Sequence, residues 1–173
     1  MAGFASTADR TVSFDESTTG CYAYTAEGDP GPGVIAGEDG VVMVDAQATP
    51  AMAQDAVRRI AVVTDRRVTQ VALSHYHAVR ALGAWSFNAH AIIAPGATPA
   101  LIVERGRQDM ESEIKRFPRL LHGRGSVPGP SGPTHSSERE ATLRLGGGWR
   151  ARALRTGPAR TSGGTVVCRR AGA

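Results

Sequence analysis

"VVMVDAQATPAMAQDAVRRIAVVTDRRVTQVALSHYHAVR" spans residues 41–80, and its reading decides the fold. Val41 to Val44 is apolar at every position, the pattern of a strand buried on both faces. It ends at Asp45. Thr49 is placed to cap a helix, and Pro50 takes the first helical position, where the N–H it lacks is not needed. Ala53, Ala56, Val57, Ile60 and Val63 then recur at helical spacing, with Gln54, Asp55, Arg58 and Arg59 on the other face. "DRR" closes the helix, and "VTQVALS" (68–74) is a second β-rich run. The unit is strand–helix–strand, with a right-handed crossover expected. Its second strand leads into His75 and His77, one residue apart. The C-terminal edge of an open α/β sheet is where ligands bind, and two imidazoles at this spacing can converge on one metal ion.

Upstream, "GVIAGEDGVVMVDA" (33–46) reads as two strands about a Glu-Asp-Gly hairpin turn. "CYAYTAEG" (21–28) alternates as a strand, and residues 1–20 read as an N-terminal extension. Downstream, "AVRALGAWSFN" (78–88) fits a short helix with Leu82 and Trp85 on its apolar face, and "AHAIIAP" (89–95) fits a strand. "ATPA" occurs at 48–51 and again at 97–100. Each copy looks like a helix start with threonine as the cap, but the flanks differ, so no domain is repeated. The second of these helices is expected to run from Pro99 to about Phe117, broken or bent near Gly106. "HGRGSVPGPSGPTHSS" (122–137) is loop chemistry, with His122 and His135 exposed; neither they nor His90 fit a motif. "ATLRLGGGWRARAL" (141–154) reads as two strands around a glycine turn, and "TVVC" (165–168) starts another. Trp85 and Trp149 are expected in the core or at its edge. This organisation is a single domain over 1–173: extension 1–20, first half 21–121, loop 122–137, partial second half 138–173.

At 173 residues and 41% hydrophobic content the chain can bury a core, which excludes wholesale disorder. No stretch is apolar for the length of a membrane span. The first residues lack a basic segment followed by an apolar one, so no secretory signal is read. A cytoplasmic protein is expected, with Cys21 and Cys168, far apart in sequence, as reduced thiols. The net charge of +4 is unevenly spread: residues 1–140 carry 13 Arg or Lys against 16 acids, a net of −3, and residues 141–173 carry 7 arginines and no acid, a net of +7. Such a basic end can attract a polyanion. Nucleic acid is not the expected partner, because one aromatic residue, Trp149, is all that stands among the arginines of residues 141–173.

The order of elements resembles the metallo-β-lactamase fold family of metallohydrolases. The stretches that carry it are "GVIAGEDGVVMVDAQATP", "VTQVALSHYHAVRALGA", "AHAIIAP" and "TGPARTSGGTVV", the last similar to the family's Gly-x-x-His-Thr-x-Gly segment. The resemblance implies an α/β chain folded as an αββα sandwich, with its second half incomplete. It also implies a zinc site, in which a metal-bound hydroxide attacks a carbonyl or a phosphodiester. His75 and His77 match the first two ligands of the family's His-x-His-x-Asp-His motif and are the expected metal ligands. Asp45 matches a carboxylate beside the metal that orients one of its neighbours. Val79 stands where the motif's Asp would be, Arg80 where its last His would be, and Arg160 where the next His would be. Arginine stays protonated and offers no lone pair. The family's later Asp and His ligands have no counterpart.

The resemblance therefore implies hydrolysis that is weak or lost, zinc at low occupancy and no assignable catalytic residue. The alternative is a non-catalytic remnant or binding module, with polyanion binding through the arginine-rich end as one form of it. The small-molecule substrate is left open. A partial second half is expected to leave the inner face of the first sheet, "VVMV" included, under-covered. Marginal stability and self-association would follow.

Overall fold

Strand β4 (Val41–Val44) is the fourth of seven strands in the larger of two sheets. The computed structural model describes residues 11–26, 31–118, 123–127, 129–155 and 164–170. The large sheet runs in chain order: β1 (Val12–Thr18), β2 (Cys21–Ala26), β3 (Gly33–Ala36), β4, β5 (Val68–Ala72), β6 (Ala91–Pro95) and β7 (His135–Ser137). Pairing is antiparallel from β1 to β4 and parallel from β4 to β7. The switch falls where short hairpin turns give way to a helical crossover, which parallel strands require. That crossover is α1 (Pro50–Val63), begun as expected by Thr49, whose Oγ accepts the Met52 N–H at 3.3 Å. A second sheet holds β8 (Glu140–Arg144), β9 (Trp149–Arg155) and β10 (Gly164–Arg170), antiparallel in the order β10-β9-β8.

The alternation of β4 sends its side chains to two different cores. Val41 and Met43 meet Val34, Val71 and Ile92 beneath Ala53, Ala56 and Ile60 of α1. Val42 joins Cys21, Ile35, Ala72 and Ile93 against Leu143, Leu145 and Ala151 of the second sheet. The Asp39 N–H, in the β3–β4 turn, donates to the Leu145 carbonyl at 2.8 Å and ties the sheets at one end. The inner face is thus covered, contrary to the expectation of an under-covered "VVMV": Val41, Val42 and Met43 are each 0% exposed. Three strands suffice because the buried inner face needs only one layer of side chains opposite it.

The remaining differences from the sequence reading are local. Val12–Thr18, inside the stretch read as an extension, pairs with β2 as an edge strand. His135–Ser137, inside the stretch read as loop, pairs with β6, and Arg124–Ser126 forms one 3-10 turn. A three-residue strand has no periodicity to read. Helix α2 is only Ala78–Ala81, followed by a 3-10 turn at Ala84–Phe87; Leu82 is buried, but Trp85 is 50% exposed and belongs to no core. Helix α3 (Thr98–Arg116) is continuous through Gly106. A Cβ there would stand 3.0 Å from the Pro130 ring, so this glycine admits a neighbour and breaks nothing. The second "ATPA" differs from the first: Ala97 takes the cap position, with no side-chain cap bond, and the Thr98 hydroxyl is buried without a partner among the described residues. Among those residues no helix is long and apolar enough to cross a membrane.

Candidate functional site

The segments that leave β4 and β5 meet at the C-terminal edge of the large sheet. Asp45 follows β4 directly; its N–H donates to the Ala72 carbonyl of β5 at 2.8 Å. Its backbone is left-handed, φ 62°, which aspartate tolerates better than most residues. This turn points the carboxylate at Ser74. The Ser74 N–H donates to Asp45 Oδ1 at 2.8 Å, and the Ser74 hydroxyl lies 2.9 Å from Oδ2. Arg80 of α2 donates to the same Oδ2 at 3.0 Å. Asp45 is 4% exposed, so a charge taken out of water here is met by a cation and two further donors.

The chain of bonds continues outward. Ser74 Oγ lies 2.7 Å from His75 Nδ1. A carboxylate only accepts, so the hydroxyl proton goes to Asp45 and Nδ1–H of His75 donates to Ser74 Oγ. The lone pair of His75 then sits on Nε2. Burial, then the neighbouring His77, holds the His75 imidazole below its ordinary value, against the pull of Asp45. The His75 and His77 rings meet edge to face with centroids 4.7 Å apart, and Tyr76 packs on His77 at the same distance.

Three hydrogen bonds support this arrangement. The Ala78 N–H, at the start of α2, donates to Asp109 Oδ2 of α3 at 2.7 Å. Ala46 N–H donates to the Arg80 carbonyl at 2.8 Å, and Gly83 N–H to the Gln47 carbonyl at 3.1 Å. Gly83 must be glycine, since a Cβ would lie 2.2 Å from the Ala46 oxygen. Gln47, also left-handed at φ 68°, is buried with neither polar atom partnered among the described residues. This is a strained segment, held by its surroundings.

The structure brings Asp45, His75 and His77 together. Arg80 is the partner of Asp45, and Val79 packs on the cluster of Ala48, Met52, Ala78 and Leu82. His90 instead contacts Arg67 at 2.7 Å, and His135 contacts Thr134 at 2.8 Å. Arg160 and His122 lie outside the described residues. Sequence reading missed Ser74 and Asp109. Ser74 carried one signal, a hydroxyl directly before His75; Asp109 carried none, since it reaches the loop from 31 residues on.

Zinc, the metal implied by the sequence resemblance, needs three protein ligands and a water, or four ligands. Among the described residues no three His, Cys, Asp or Glu side chains are grouped to hold a metal ion.

No protein-family model and no curated protein matches the chain. Solved structures do. A mutant metallo-beta-lactamase of Cronobacter sakazakii, described by its HARLDQ motif, superposes with a TM-score of 0.67 at 19% identity, over 91% of this chain and 60% of that one. A metallo-beta-lactamase of Pontibacter korlensis gives 0.64 at 12% identity, over 90% and 66%. The FEZ-1 metallo-beta-lactamase of Legionella gormanii gives 0.62 at 16%, over 85% and 54%. The chain spans roughly three-fifths of the length of these structures, as those shares state. Its fold is that of the metallo-β-lactamases, with a smaller second half.

Proposed function

We propose that this metallo-β-lactamase-fold chain has kept the scaffold of a metal site and not a working hydrolytic centre. One observation carries the reading. The Arg80 guanidinium is bonded to Asp45 Oδ2 at 3.0 Å, inside the cluster that holds His75 and His77. That guanidinium offers a metal no lone pair, and together with Ser74 it occupies the carboxylate beside the two imidazoles. His75 and His77 are the residues that would hold zinc, through His75 Nε2 and one His77 nitrogen, weakly and without fixed geometry. Bound zinc would supply a hydroxide at neutral pH; no step is routed through it here. What the protein's own groups do is orient one neutral imidazole through Asp45 and Ser74. Weak or lost hydrolysis of a small-molecule substrate in the cytoplasm is the consequence. The test is turnover of lactam, thioester and phosphodiester substrates with added zinc and with a chelator. No chelator-sensitive turnover is expected; robust turnover removed by the chelator and restored by zinc would overturn the reading.

A second reading, a binding module for a polyanion, is favoured by the outer face of the small sheet. Register places Arg144 opposite Arg150 and Arg150 opposite Arg169, so three exposed arginines form one cross-strand row. Neighbours in such a row stand about 4.8 Å apart. Binding of heparin that weakens steeply with salt, and is lost in Arg150→Ala, would support it; salt-insensitive or absent binding would remove it.

A further inference from the structure

The two cysteines, 147 residues apart in sequence, have their sulfurs 3.1 Å apart. Cys21 opens β2 in the large sheet and is buried; Cys168 lies in β10 of the small sheet and is partly exposed. Both belong to the apolar cluster between the sheets, with Ile35, Leu145, Ala151 and Trp149. We propose that Cys21 and Cys168 are a dithiol that a small-molecule disulfide oxidises to an intramolecular disulfide, stapling the small sheet to the large one.

The geometry is nearly that of the product. A disulfide bond is about 2.05 Å long, so the sulfurs need to close by roughly 1 Å. The difference in exposure sets the order of events. The thiolate of Cys168, the accessible partner, attacks one sulfur of RSSR; the Cys168–SR bond forms, the S–S bond breaks, and RS⁻ leaves and takes up the proton that Cys168 gave up. Cys21 then loses its proton and attacks the Cys168 sulfur. The Cys21–Cys168 bond forms and a second RS⁻ leaves and is protonated. Two electrons and two protons pass from the dithiol to RSSR, giving two RSH. In the dithiol, burial and then the contact with Cys168 push the Cys21 thiol up to about 12, and the burial remains once Cys168 carries SR. The second step is therefore the slow one, and it quickens as pH rises.

The ring it closes is long, and cross-linking a long loop removes much of the freedom of the unfolded chain. Oxidation should raise the melting temperature by on the order of 10 °C. On the large sheet the staple stands three strands away from β5, which leads to His75, in the order β2-β3-β4-β5.

The experiment is treatment of the full chain with oxidised glutathione, followed by intact mass, thiol alkylation and melting. The expected product is a monomer lighter by the mass of two hydrogens, with no alkylatable thiol, a Cys21–Cys168 cross-linked peptide and a higher melting point that dithiothreitol reverses. Closure should be faster at alkaline than at neutral pH. Cys21→Ser should stop at one bound glutathione on Cys168, and Cys168→Ser should show neither adduct nor shift. A persistent glutathione adduct on wild type, a cross-linked dimer, or two free thiols after alkaline treatment would each overturn the proposal. The wild-type mass alone decides it should either variant fail to fold.

Discussion

The two sheets share one apolar interface and differ in what they carry elsewhere. The large sheet is covered on its outer face by α1, and its C-terminal edge holds a polar cluster in which each Asp45 oxygen has a donor. The small sheet exposes Thr142, Arg144, Arg150, Arg152, Thr165, Val167 and Arg169 on its outer face. Each charged residue of the described site, Asp109 included, comes from the half that ends at α3. The contrast teaches that covering a sheet and completing a site are separate tasks. Three amphipathic strands accomplish the first, whereas the second needs particular side chains at particular edges.

The contrast can be broken most sharply at its two ion pairs. Asp45→Ala leaves the Arg80 guanidinium and two Ser74 donors without their acceptor in a largely buried place, at a cost of about 3 kcal/mol by chemical denaturation. Arg152–Glu140 joins side chains 52% and 49% exposed. Glu140→Ala should cost no more than about 0.5 kcal/mol. Equal losses at the two pairs would erase the distinction.

The shared interface is tested at Leu145, which is 1% exposed between the sheets. Leu145→Ala should cost about 2–3 kcal/mol and lower the denaturation midpoint in a single transition. Two separated transitions would instead mean that the small sheet melts alone.

A smaller effect concerns pH. His75 sits below its ordinary 6.5 because it is buried and beside His77. Below 6.5 the unfolded chain therefore takes up a proton at this residue that the folded chain resists. Stability is full above that value and falls as pH drops through it toward the lower folded value. His75→Gln should flatten stability measured between neutral and mildly acidic pH. An unchanged slope would show that burial of this ring does not set it. The smallest effect is at the arginine row: Arg150→Thr relieves like charges directly opposite each other and should stabilise by up to about 0.5 kcal/mol.

Much of this was legible in the sequence, for reasons that differ between regions. Residues 41–80 carry a two-face apolar strand, a capped helix and a strand leading to His-x-His, and each signal is local. Coverage of "VVMV" is not legible from the number of strands in the second half, because Leu143, Leu145 and Ala151 suffice to cover Val42 and its neighbours on the inner face. Thr98 shows the limit of motif reading. The same tetrapeptide caps at Thr49 and does not at Thr98, because α3 begins one residue earlier relative to it. The Asp45–Ser74 and Cys21–Cys168 contacts join residues 29 and 147 positions apart and depend on strand register, which no local pattern states.

The fold is that of the metallo-β-lactamases, and zinc content tests most directly the proposal that its metal centre is lost. Elemental analysis of the full chain, purified without chelator and dialysed against micromolar zinc, should find far less than one zinc per chain, with little change in His75→Ala. One or more tightly held zinc ions per chain, lost in His75→Ala, would contradict it.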